Sequence, residues 1–170
     1  LKNSTTKLIA NDALKLSLLI TDNLGMDSVL APMQLFAKSD LLIQQRKYEE
    51  AFIALDSIAK VNPFHGLNDE ILMAKATAYE QQGKWELALE KYGAIYSSYG
   101  DDILADDALF KMAVIYEKHL QNIDLAKENY RKILFEYKGS HYTTKARKKS
   151  QELSKLSPAE QCKNGIGTAP

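Results

Sequence analysis

Cysteine is nearly absent: Cys162 stands alone, so no disulfide can form within the chain and the redox compartment is not written in it. Long apolar runs are missing too. The longest, such as Leu16 to Ile20 and Ile71 to Ala74, fall far below the roughly 18 residues a bilayer-spanning helix needs, so no segment reads as transmembrane. No segment alternates with period two, which excludes a strand-built fold. The three histidines, His65, His119 and His141, are far apart, none has a partner at metal-ligand spacing, and Cys162 has no neighbouring His. No phosphate loop occurs, and Gly165-Ile166-Gly167 follows no strand and precedes no helix, so it reads as tail. Paired carboxylates, Glu49-Glu50, Asp101-Asp102 and Asp106-Asp107, suit helix starts, where the dipole favours negative charge. The expectation is a non-enzymatic chain without metal or cofactor. Residue 1 is Leu, with no basic run leading into an apolar segment, so any targeting signal is expected to be removed or to lie outside this sequence.

What is present is a repeat. Ala13 with Ile20, Ala51 with Ile58, Ala88 with Ile95 and Ala126 with Ile133 are pairs seven residues apart, and successive pairs follow at 38, 37 and 38 residues. A unit of that length cannot bury its apolar face alone and must stack on its neighbours. At 170 residues, 45% hydrophobic and 26% charged, the chain has enough apolar material for such a core without resembling a disordered or membrane composition.

Only eight glycines and four prolines occur, and they sit at joints: Gly25, Pro32, Pro63, Gly66, Gly83, Gly100, Gly139 and Pro158 among them. From Thr6 to Asn23, Leu8, Ile9, Ala13, Leu16 and Ile20 follow one helix face. Further helices are predicted at about 30–45, 47–61, 68–82, 84–98, 103–120, 123–138 and 141–155, giving about eight helices and no strands. Pro32 is tolerable in a first turn, and Asn62-Pro63 closes one helix before Asn68-Asp69-Glu70 opens the next. In register, Leu35, Leu72 and Leu109 correspond, as do Ser39, Ala76 and Ala113, and Leu42, Tyr79 and Tyr116. Small residues at Ser39/Ala76/Ala113 and Ala51/Ala88/Ala126 are expected where two antiparallel helices cross closely.

The set Ala76, Tyr79, Gly83, Trp85, Ala88 and Tyr92 resembles the tetratricopeptide repeat family. The unit before it keeps Tyr48, Ala51 and Pro63 with Leu42 and Leu55 for the aromatics. The unit after it keeps Ala113, Tyr116, Ala126 and Tyr130 with one extra residue near Gln121-Asn122. The resemblance implies a right-handed α-solenoid of antiparallel helix pairs: one domain over 1–157, with the second half of a truncated repeat at 6–23, repeats at 28–63, 65–100 and 102–139, a capping helix at 140–157 and a flexible tail at 158–170. The half-repeat makes the chain an expected C-terminal portion of something longer. Tyr99-Gly100-Asp101-Asp102, Ala105-Asp106-Asp107-Ala108 and Tyr137-Lys138-Gly139-Ser140 resemble the variant found in bacterial envelope proteins, where a Tyr-Pro-x-Ser joint occupies this place; here the Pro is absent. That likeness implies a periplasmic or envelope-associated setting over a cytoplasmic one.

In that family a protein or peptide partner lies along the concave surface of the first helices. The positions mapping to it are Met33, Phe36, Asp40 and Ile43, then Glu70, Met73, Thr77 and Glu80, then Asp107, Phe110, Val114 and Glu117. Phe36, Met73 and Phe110 would form an apolar column and Glu70, Glu80, Asp107 and Glu117 an acidic edge, favouring a segment with apolar anchors and some basic residues. Packing of Phe and Met against the next repeat is the alternative. Relatives that grip a terminal carboxylate carry Lys and Asn at the Phe36-type and Asp40-type positions, and no unit here does.

Net charge is zero but lopsided. Residues 1–110 hold 10 Lys/Arg against 16 Asp/Glu, and residues 111–170 hold 12 against 6, with Lys145, Arg147, Lys148, Lys149 and Lys155 on the last helix. A basic end could dock on nucleic acid or anionic membrane, though a solvated capping face needs the same residues and few aromatics interleave for base stacking. Homo-oligomerisation through the leading helix, with its Leu8, Ile9, Leu16, Leu18 and Leu19, is a further expectation. Ala88→Leu should lower unfolding free energy by about 1 to 3 kcal/mol, since an added side chain would wedge the crossing helices apart; urea denaturation checks this.

Overall fold

A computed structural model describes residues 30–61 and 66–155. Among them are seven helices and no strand: α1 (Leu30–Gln44), α2 (Tyr48–Val61), α3 (Asn68–Gln81), α4 (Trp85–Ser98), α5 (Ala105–Lys118), α6 (Ile123–Glu136) and α7 (Thr143–Lys155). The leading helix at 6–23, the Asn62-Pro63 stop, His65, Cys162 and the tail at 158–170 lie outside the described residues. The fold is all-α, of adjacent packed helix pairs of the tetratricopeptide-like solenoid kind. The chain divides into two compact units between Ile71 and Leu72.

In the first unit α1 and α2 pack together over Leu42, Ile43, Ala51, Leu55 and Ile58, all buried. Ser39, at the small-residue position of α1, has no exposed surface; its hydroxyl donates to the Phe36 carbonyl at 2.7 Å, so the buried polar atom is satisfied within its own helix. The second unit builds two cores. One joins Ala76, Ala88, Tyr92, Ile95, Ala108 and Ile115. The other joins Leu109, Ala113, Ala126, Tyr130, Ile133, Ala146 and Leu153. Neighbouring residues Ala108 and Leu109 thus serve opposite cores, and α5 is a wall buried on two sides. That is the packing a stacked repeat requires. The Ala51/Ala88/Ala126 and Ser39/Ala76/Ala113 columns are wholly buried.

Each hairpin turns through a residue in the left-handed region: Arg46 (φ +61°), Gly83 (φ +70°) and Gln121 (φ +53°). Lys47 N–H donates to the Leu42 carbonyl at 2.9 Å and Lys84 N–H to Tyr79 at 3.0 Å, the bonds that close a left-handed helix terminus. In the third hairpin the extra residue shifts this closure, and Asn122 N–H reaches the Tyr116 carbonyl at 2.9 Å. Asn122 then caps α6 by accepting from Leu125 N–H at 3.1 Å. Trp85 stacks on His119, ring centroids 3.7 Å apart and 14° from parallel, tying the start of α4 to the end of α5.

A side chain in the left-handed region costs about 1 kcal/mol, whatever the space around it. Gly83→Ala should therefore destabilise by about 1 kcal/mol although nothing lies closer than 4.0 Å to its added Cβ. Arg46→Gly should stabilise by a few tenths to about 1 kcal/mol. Urea midpoints of the two variants should move in opposite directions.

Candidate functional site

The twelve first-helix positions fall into two groups. In the first unit Met33 and Ile43 are core, Phe36 and Glu70 are half-buried, and Asp40 is exposed, its carboxylate accepting from Gln44 Nε2 at 3.1 Å. In the second unit all seven, Met73, Thr77, Glu80, Asp107, Phe110, Val114 and Glu117, are half-buried. Met73 packs on the first core there and Phe110 on the second. Phe110 is also stacked by Tyr142, centroids 4.2 Å apart and 12° from parallel, and meets Tyr130 edge-on at 5.9 Å. Packing against the next repeat therefore takes one face of Phe110.

Two carboxylates of the acidic edge, Glu80 and Glu117, are internally engaged. Glu80 accepts the Tyr92 hydroxyl at 2.8 Å and Lys111 Nζ at 3.2 Å. Glu117, one repeat later, accepts the Tyr130 hydroxyl at 2.7 Å and Lys149 Nζ at 2.7 Å. In both, the tyrosine comes from the second helix of the same hairpin and the lysine from the first helix of the next. Each carboxylate thus fixes a hairpin internally and staples it to its neighbour. Burial, and after it the Asp107 carboxylate, raise the Tyr142 phenol above its ordinary value. At the matching positions of the first unit, Ile43 and Leu55 are apolar and buried, so the polar device has no counterpart there.

Burial raises the Tyr92 phenol far above its ordinary value, with the Glu80 charge adding to it. Tyr130 is raised as far, by burial and by its bond to Glu117. The Lys149 ammonium is held up chiefly by its hydrogen bond to Glu117. Lys149 is therefore committed inside the fold, and Lys148 lies 3.9 Å from Glu152, which among the described residues leaves Lys145, Arg147 and Lys155 as the exposed cations of α7 without an ion pair. Among the described residues no group of His, Cys, Asp and Glu is arranged to hold a metal ion, and no helix is long and apolar enough to cross a membrane.

Residues 107–140, from the first turn of α5 to the joint after α6, match the family model described as Tetratricopeptide repeat. The match supports a tetratricopeptide repeat family. No curated protein matches the chain. The matched repeat contains Phe110, Glu117 and Tyr130, and it supports a protein–protein interaction scaffold in general, of a family that is generally non-enzymatic.

Sequence reasoning placed Glu80 and Glu117 on a face but missed Lys111, Lys149 and the phenol contacts. A signal existed: Glu80/Glu117, Tyr92/Tyr130 and Lys111/Lys149 recur at 37, 38 and 38 residues. An unfolded phenol ionises near pH 10 and an unfolded Lys near 10.4, and the folded Tyr92, Tyr130 and Lys149 lie above these. Above about pH 10 the folded chain thus binds more protons than the unfolded one, so stability, complete below that pH, should fall as pH rises. Tyr92→Phe with Tyr130→Phe should flatten that fall while costing about 1 to 3 kcal/mol near neutrality per lost bond to a carboxylate; urea denaturation from pH 8 to 12 measures both.

Proposed function

We propose that the chain is a non-enzymatic scaffold that receives an extended or helical segment of a partner protein along its first helices. The observation that carries this reading is an asymmetry of burial in the second unit. On the first helices Ala76, Leu109, Ala113 and Ile115 are closed from solvent, whereas Met73, Phe110 and Val114 keep part of their apolar surface exposed beside Thr77. A half-buried apolar side chain anchored from below presents a pre-ordered contact and loses little rotamer freedom on binding. Since Glu80 and Glu117 already carry lysine partners, the recognition relies on apolar anchors more than on partner charge. The joint phrases at Tyr99-Gly100 and Tyr137-Lys138-Gly139-Ser140 add a bacterial envelope assembly as the finer setting.

Thr77→Arg combined with Val114→Arg should abolish capture of partner protein from the native organism's extract while helical circular dichroism stays unchanged. Ile53→Arg, at a side chain 68% exposed on α2, should leave capture intact. Equal capture by all three chains would overturn the assignment of the first-helix face.

A further inference from the structure

Between the α4–α5 and α6–α7 connections of the second unit lies an open cleft of about 840 Å³. Its lining joins Tyr96 and Tyr137 to four carboxylates, Asp101, Asp102, Asp106 and Glu136, with Ile103 beside them. The walls are fixed: the Tyr137 hydroxyl donates to the Gly100 carbonyl at 2.7 Å, and Tyr96 donates to Glu136 at 2.9 Å. A Cβ at Gly100 would come within 3.0 Å of the Tyr96 carbonyl, so the connection is fitted to a glycine there. Among the described residues no lysine or arginine forms an ion pair with any of the four carboxylates, unlike Glu80 and Glu117. The Tyr96 ring already takes an ammonium, Lys132 Nζ, at 5.2 Å from its centroid. Ile103 is 75% exposed, the most exposed large apolar side chain among the described residues.

We propose that this cleft docks a cationic segment of a partner protein, with a Lys or Arg side chain entering between the carboxylates against the tyrosines and an adjacent apolar side chain resting on Ile103. Charge complementarity selects the cation, and the exposed Ile103 selects its neighbour. The α7 helix of a second copy satisfies only half of this, because its exposed residues, such as Lys145, Arg147, Lys148 and Gln151, include no large apolar one. The surface is formed by connections and the helix ends beside them, and it contains none of the first-helix positions named above, so it goes beyond the function proposed above.

The full chain, labelled for amide NMR, is titrated with the peptide Gly-Ser-Lys-Ile-Lys-Ser-Gly and with its counterpart carrying Glu for Lys. The Lys peptide should shift amides of residues 96–106 and 136–141, weaken about tenfold or more between about 50 and 500 mM salt, and leave the Glu peptide without effect. Asp101→Asn with Asp102→Asn should weaken binding about tenfold, and Ile103→Ser several-fold; all three side chains are exposed, so the fold should persist by circular dichroism. Absence of shifts at low salt, shifts centred elsewhere, or affinity indifferent to these substitutions would overturn the proposal. So would sedimentation showing a dimer of the unmodified chain that Asp101→Asn with Asp102→Asn dissociates, because the occupant would then be a second copy.

Discussion

Two helices can run antiparallel at contact distance only where a side chain little larger than a methyl group lies between their backbones. Ser39, Ala76 and Ala113 on the first helices and Ala51, Ala88 and Ala126 on the second meet that condition, and all six are closed from solvent. The Ile58, Ile95 and Ile133 side chains fill the space that opens beyond each crossing. Once the crossings are fixed, the outer side of a first helix has to serve the following repeat, and the opposite commitments of Ala108 and Leu109 follow from it. An enlarged residue at Ala113 would push on α5, the helix both cores share, and so reach beyond its own crossing.

Electrostatics then fixes neighbouring hairpins against one another. Glu80 and Glu117 are 23% and 14% exposed, enough removed from water for their phenol and ammonium bonds to matter, and each gathers a donor from its own hairpin and one from the next. An isolated surface ion pair contributes little, but here the lysine shares its carboxylate with a buried phenol that would otherwise lack an acceptor. In the first unit Ile43 and Leu55 occupy the equivalent places with apolar contact alone. The same backbone geometry is thus held by two chemistries, one indifferent to pH and one sensitive to it.

The fold was legible in the sequence because its causes are periodic. The 37- and 38-residue spacing, the small-residue columns and the apolar faces are all local patterns, and the helices begin and end within two residues of where the patterns put them. The turns were less so. Gly83 announces a left-handed residue, but Arg46 and Gln121 adopt the same conformation without a glycine, because the terminal backbone bonds around them outweigh a strain of about 1 kcal/mol. The chemistry of the first-helix face was legible only in part. Register put Glu80, Phe110 and Glu117 on one face, but the Glu80–Lys111 and Glu117–Lys149 pairs join residues 31 and 32 apart, and Tyr142 covers Phe110 from beyond the repeat. Such contacts belong to the stacking of one repeat on the next, which no single-helix pattern contains.

The uneven charge of the chain also changes meaning. Counted along the sequence it is an acidic body and a basic end, a distribution that invites long-range attraction to anionic polymers. In the fold, Lys149 of the basic end is spent on Glu117 and Glu152 of the same region, and Glu80 of the acidic body is paired with Lys111. Among the described residues Asp101, Asp102, Asp106 and Glu136 line one cleft beside Ile103 with no lysine or arginine in ion-pair contact. On the first-helix face Glu80 and Glu117 carry lysine partners, whereas the four carboxylates of the cleft carry none, so contacts at the two places would differ in kind. On the proposals above, one would be governed by apolar fit and be nearly indifferent to salt, and the other would be governed by charge and screened by it. On the two proposals above, a partner along the first helices and a cationic segment in the cleft would use different side chains, so neither contact would displace the other.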